Sequence, residues 1–205
     1  PQPRLIAEIQ DDMGGWRVEE TYPPADQEWL AITLDECSLE SGGESITLTS
    51  TTVLDCGTME SDLRIVGMPT LHITARVSLL QQLPASGHLF VELQRSSDGA
   101  HLGHAVMDLR FAEGGKQANQ LPPGATVIAK MEFFPMDVVV PAGDGIRLII
   151  TQTGDDYVPS PVSMQPVTIS LDGSSVLSLS TVVRTCDDLF LPPMQEPYPF
   201  CSEEE

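Results

Sequence analysis

Cations are what this chain most lacks. Lys and Arg number 10 against 30 Asp and Glu, a formal charge of −20 over 205 residues. Binding to a phosphate backbone needs clustered positive side chains, so nucleic acid is excluded as a partner. Long apolar runs are also missing, and the first residues, PQPRLIAEIQDD, show no basic stretch followed by an apolar one and a small-residue cleavage site. This reading excludes a membrane span and a signal peptide and leaves a soluble chain, cytoplasmic or secreted. A start at Pro1 reads as a processed chain or a piece of a larger one. Aromatic residues make up only 5% and Trp only two positions, which leaves little material for a sugar-stacking platform. Helical periodicity is nowhere sustained. Four chemical signatures are absent as well: a GxSxG nucleophile turn, a Gly-rich phosphate loop ahead of a helix, an HExxH helix and an EF-hand loop. The chain thus carries no complete catalytic apparatus in its sequence, although a Ser, His and Asp brought together only in space would escape such a search.

What is present is a recurrent β pattern. Short runs of β-branched and large apolar residues are broken by Gly, Pro, Asp or Ser every eight to twelve residues or so, as in a sandwich or barrel. Ten strands are expected: Leu5 to Ile9, Trp29 to Leu34, Ser45 to Leu54, Thr70 to Leu79, His88 to Arg95, His101 to Phe111, Thr126 to Phe134, Gly145 to Thr153, Val167 to Leu171 and Val176 to Val182. Leu71, Ile73, Ala75 and Val77 alternate with polar residues and predict a strand with one wet face. Ile146 to Ile150, interrupted only by Arg147, predicts a central strand buried on most of both faces. Ser97, Asp98 and Gly99 predict a hairpin turn, and Pro141 to Gly145 a tight loop. The expected organisation is one all-β domain over 1–185, with a lead-in segment at 1–28, followed by a Pro-rich acidic strap or tail at 186–205. The acidity suits either a salt-adapted surface or an ordinary acidic protein whose tail exaggerates the figure.

Four cysteines, Cys37, Cys56, Cys186 and Cys201, show no CxxC spacing, which argues against zinc. They permit three disulfide connectivities. The sequence-local pairing is Cys37 with Cys56 and Cys186 with Cys201, each contributing roughly 3 kcal/mol; four free thiols are the alternative. His101 and His104 are three apart, so on a regular strand they face opposite sides and do not share a metal. His72 and His88 read as partly exposed strand residues. Asp155, Asp156 and Tyr157 put two carboxylates and a ring at a strand end, where calcium is the ion such oxygens would take and a solvated turn is the plainer reading. Trp16 is the candidate sugar platform, with core or interface packing as its alternative.

Several local patterns resemble one known family. Asp12, Gly15, Trp16 and Arg17, followed by Tyr22, Pro23 and Pro24, look like its lead-in. Val66, Gly67, Met68 and Pro69 are similar to its G-x-P before a long strand, and Phe90 to Leu93 with Asp98 and Gly99 are similar to its Asp-Gly hairpin. From Val138 on, V-x-x-P-A-G-x-x-I-R-L looks like its approach to a central strand, with Tyr157 and Pro159 after it. In order, and over most of residues 11 to 182, they resemble the C-terminal domain of the X-prolyl dipeptidyl-peptidase and cocaine-esterase family of serine hydrolases. The resemblance implies a jelly-roll β-sandwich of galactose-binding-domain-like architecture. It also implies a non-catalytic accessory role, packed on an α/β-hydrolase core and shaping its active site and assembly. The triad of that family lies outside this domain, so no catalytic residue carries over and no cofactor is expected. The alternative is a stand-alone module binding carbohydrate or calcium, an analogy at the level of fold alone. The expected partner is therefore a hydrolase core or a second copy of the chain, with carbohydrate as the further ligand.

Overall fold

Where apolar and polar residues alternate in the sequence, strands form and their apolar faces meet. The computed structural model describes residues 7–39, 44–80, 87–114, 117–154 and 166–184. Asp155, Asp156, Tyr157, Cys186, Cys201 and the expected strap at 186–205 lie outside these residues. The strands are β1 (Ala7–Gln10), β2 (Trp16–Glu19), β3 (Glu28–Thr33), β4 (Ser38–Leu39), β5 (Ser45–Leu48), β6 (Thr52–Thr58), β7 (Leu63–Gly67), β8 (Thr70–Val77), β9 (His88–Arg95), β10 (His101–Asp108), β11 (Thr126–Glu132), β12 (Met136–Val140), β13 (Gly145–Thr151), β14 (Val167–Ser170) and β15 (Val176–Thr181). No α-helix occurs among the described residues; a 3-10 turn at Leu109–Phe111 is started by the Asp108 carboxylate, which accepts from the Arg110 N–H at 3.0 Å.

A five-stranded sheet runs β10-β9-β13-β6-β4, and an eight-stranded sheet runs β12-β7-β15-β8-β14-β5, with β11 added on β8 and β3 on β15. The two sheets enclose one core. Leu71, Ile73, Ala75 and Val77 supply it from β8, and Leu89, Val91, Leu93, Ile146, Leu148 and Ile150 from β9 and β13. This is the expected jelly-roll sandwich. β13 is central, as its apolar run predicts, although its outward residues Arg147 and Ile149 are half-buried. The Asp98-Gly99 hairpin also forms, with Gly99 at φ +69° where a side chain would strain the turn.

Ten strands were expected, and fifteen form among the described residues. Ser45 to Leu54 is not one strand: β5 borders the eight-stranded sheet and β6 lies in the five-stranded one, so residues 49–51 carry the chain between layers. The run Thr49-Ser50-Thr51 contains no Gly or Pro to mark that crossing. His88 is buried rather than partly exposed, because it starts β9 against Asp108 of β10, 3.4 Å from that carboxylate. His72 is exposed on β8, as expected.

The lead-in segment is attached by ions. Arg17 of β2 is fully buried. Its Nε donates to Glu19 Oε1 at 2.7 Å, its Nη1 to Asp137 Oδ1 at 2.7 Å, and its Nη2 to the other Asp137 oxygen. Arg64 of β7 donates to Asp11 at 2.6 Å, and Arg184 grips Glu19 at 2.8 Å and Asp26 at 2.9 Å. Burial pushes the Glu19 carboxyl up, but the bonds from Arg184 and Arg17 outweigh it and hold the group below the usual carboxylate range. Tyr22 then lays its hydroxyl on β12 and β7, donating to the Met136 carbonyl at 2.5 Å and accepting from the Gly67 N–H at 3.0 Å. A Cβ on Gly67 would come 2.9 Å from Pro23 Cγ, so this contact requires glycine.

Three outcomes follow. Arg17→Met should lower stability by about 3–5 kcal/mol in denaturant unfolding, because Asp137 and Glu19 stay buried without it. Cys37 and Cys56 form the expected disulfide across 19 residues, so Cys56→Ser should cost about 3 kcal/mol by the same measurement. Burial lowers the His88 pKa, outweighing the attraction of Asp108; the folded chain then resists a proton that the unfolded chain takes up near pH 6.5. Stability should therefore fall as pH drops below about 6.5, and His88→Gln should flatten that slope in unfolding curves taken across the window.

Candidate functional site

The outer face of the five-stranded sheet carries a cluster of two histidines and a carboxylate beside a cleft. A regular β10 would turn His101 and His104 to opposite sides. Its register against β9 instead shifts between His101 and Gly103, a β-bulge that restores both imidazoles to one face. The expectation that they diverge is thus overturned. Gly103 is the signal that sequence reading passed over, since an isolated Gly inside a strand marks a bulge or a close approach. Here it marks both, for a Cβ on Gly103 would meet Met136 Cε at 2.4 Å.

Cross-strand pairing sets Glu92 of β9 opposite His104. Glu92 Oε1 accepts from Gln94 Nε2 at 2.8 Å and lies 2.9 Å from His101 Nδ1. His101 Nε2 in turn lies 3.4 Å from His104 Nδ1. Burial pushes the Glu92 carboxyl up, yet the bonds from Gln94 and His101 prevail and keep it ionised below its ordinary range. Aromatic rings fix His104: it stacks on Phe90, with centroids 5.5 Å apart, and meets the edge of Phe134 at 5.0 Å. Phe134 is 60% exposed, so one wall of the cluster is apolar and open.

Beside the imidazoles lies a cleft of about 600 Å³, lined by Thr51, Phe90, Glu92, His101, His104, Ile149, Thr151, Thr153 and Gly154. A smaller hollow of about 370 Å³ shares Thr51, Thr151 and Thr153 and adds Ser50 and Gln152. The lining mixes threonine hydroxyls, the Glu92 carboxylate and two imidazoles with the apolar faces of Phe90 and Ile149. Gly154, at its rim, directly precedes the expected Asp155 to Tyr157 cluster. Trp16, the expected platform, is half-buried on β2, with its Nε1 enclosed and without a hydrogen-bond partner. The exposed tryptophan is Trp29 on β3, at 57%.

Among the described residues, no three His, Cys, Asp or Glu side chains gather as a metal cage, and no helix is long and apolar enough to cross a membrane. Comparison with curated proteins gives no match. Solved structures share the fold. A CocE/NonD family hydrolase from Staphylococcus aureus matches with a TM-score of 0.63 at 13% identity, over 89% of this chain and 42% of that one. An aminopeptidase from a marine-sediment Thaumarchaeota archaeon matches at 0.67 and 11%, over 88% and 41%. The chain therefore spans less than half the length of either. A family described as the X-Pro dipeptidyl-peptidase C-terminal non-catalytic domain matches residues 1–182. With the sandwich, the buried lead-in motif and this match in agreement, the chain belongs to the family of X-Pro dipeptidyl-peptidase C-terminal non-catalytic domains.

Proposed function

We propose that this chain is the accessory sandwich of a larger serine hydrolase and seats on the hydrolase core through the border formed by β3 and the ends of β7 and β15. One observation carries the reading: β3 pairs only with β15 among the described residues, and along its open edge Trp29 and Leu30 are 57% and 37% exposed. Exposed apolar edge strands are rare on free-standing domains, because they invite pairing and association. Val183, after β15, and Met68, after β7, are exposed as well.

Chain direction points to the same border. β1 pairs Ala7 with Glu19, and Glu19 is gripped by Arg184, so the described start and end of the domain lie together. A core preceding a C-terminal domain would connect there. The chemistry of such a parent is acyl transfer from an ester or X-Pro peptide by a serine that the core supplies. This domain would wall its cleft and hold the assembly together.

Hydrogen exchange tests the seat. In the parent hydrolase the amides of Glu28–Thr33 should exchange more slowly than in the isolated chain, and Trp29→Ser should restore fast exchange. Equal exchange in both settings would refute this border. A dimer of the isolated chain, broken by Trp29→Ser, would give the edge to a second copy instead. The isolated chain should show no turnover of an activated ester above buffer.

A further inference from the structure

We propose that His101 and His104 form an open, two-imidazole site for a divalent transition-metal ion of the zinc, nickel or copper kind, oriented by Glu92. The geometry is the argument. The 3.4 Å between His101 Nε2 and His104 Nδ1 exceeds the usual reach of an N–H donor. It matches the edge of a tetrahedron with metal–nitrogen bonds of about 2.0–2.1 Å, roughly 3.3–3.4 Å. Two imidazoles sharing such an ion bring their centroids roughly 5.2 Å apart; here they stand 5.4 Å apart, tilted by 45°.

The surroundings supply what a metal-binding histidine needs. A ligating His donates its other N–H to a carboxylate, which fixes the tautomer and raises basicity. Glu92 takes that N–H from His101 at 2.9 Å and is itself held by Gln94 at 2.8 Å. In the neutral form of His101 the Nδ1 proton then faces Glu92 and the Nε2 lone pair faces His104. Phe90 and Phe134 fix the second ring from its face and its edge. Two protein nitrogens leave coordination positions empty, and the cleft alongside is lined by Thr51, Thr151 and Thr153. The remaining ligands would be water or an oxygen-bearing group lodged there. Imidazole ligands select zinc, copper and nickel over calcium and magnesium.

Calorimetric titration of zinc chloride, then nickel chloride, into the untagged chain tests this. One ion should bind per chain. Binding should vanish in His101→Ala and in His104→Ala, and weaken 10- to 100-fold in Glu92→Gln. Magnesium in excess should not compete. Unchanged melting of the metal-free variants shows that they still fold. No uptake at millimolar ion would overturn the site and leave the two rings as a packed pair. Uptake that persists in His104→Ala would overturn it too, by assigning the ion to the acidic surface or to thiols.

Discussion

The guanidinium of Arg17 is the group on which the arrangement of this domain depends. It is fully buried in a chain of net charge −20, and it engages Asp137 with both terminal nitrogens and Glu19 with its Nε. Only a planar fork can satisfy a carboxylate in this way, so lysine would not replace it. Through Asp137 it fastens β2 to β12, and through Glu19 it shares a partner with Arg184 at the end of the domain. Tyr22, Pro23 and Gln27 follow in the chain and lie against Gly67 of β7.

This arrangement turns cations inward. Of the ten Lys and Arg residues, Arg17, Arg64, Arg95 and Arg184 all serve the contacts of the lead-in segment with the sandwich. Each buried guanidinium takes carboxylates inward with it, so the surface keeps the acidic balance of the whole chain, in line with the exclusion of polyanionic partners. The features left facing outward are of other kinds. An apolar edge lies on β3 of the eight-stranded sheet, and a histidine and hydroxyl cleft on the five-stranded sheet. Trp29 and Leu30 of the first and His101 and His104 of the second sit on strands of different sheets.

The long strands were legible because they obey local rules. Thr70–Val77 alternates, His88–Arg95 ends on an Asp-Gly turn, and Gly145–Thr151 opens after a Pro and Gly loop. β2, β7 and β12 were not, although their residues stood out as motifs. Trp16-Arg17-Val18-Glu19 alternates, yet in the inverted sense: Arg17 and Glu19 are buried while Val18 is exposed, because Asp137 and Arg184 pair with the buried charges. The site was missed for a related reason: alternation predicts that His101 and His104 diverge, and only pairing with β9 reveals the bulge that reunites them.

The sequence by itself determined the class of fold, the central strand and the family resemblance, and it left the Cys37 and Cys56 disulfide as one of two readings that the structure decided. The first three rest on patterns within a few tens of residues, where steric and hydrophobic preferences act locally. Tertiary structure alone decided which charges are buried, which tryptophan faces solvent and which histidines meet. Those outcomes join residues as far apart as Arg17 and Asp137. They depend on strand register and on desolvation, and neither is set until the two sheets close on each other.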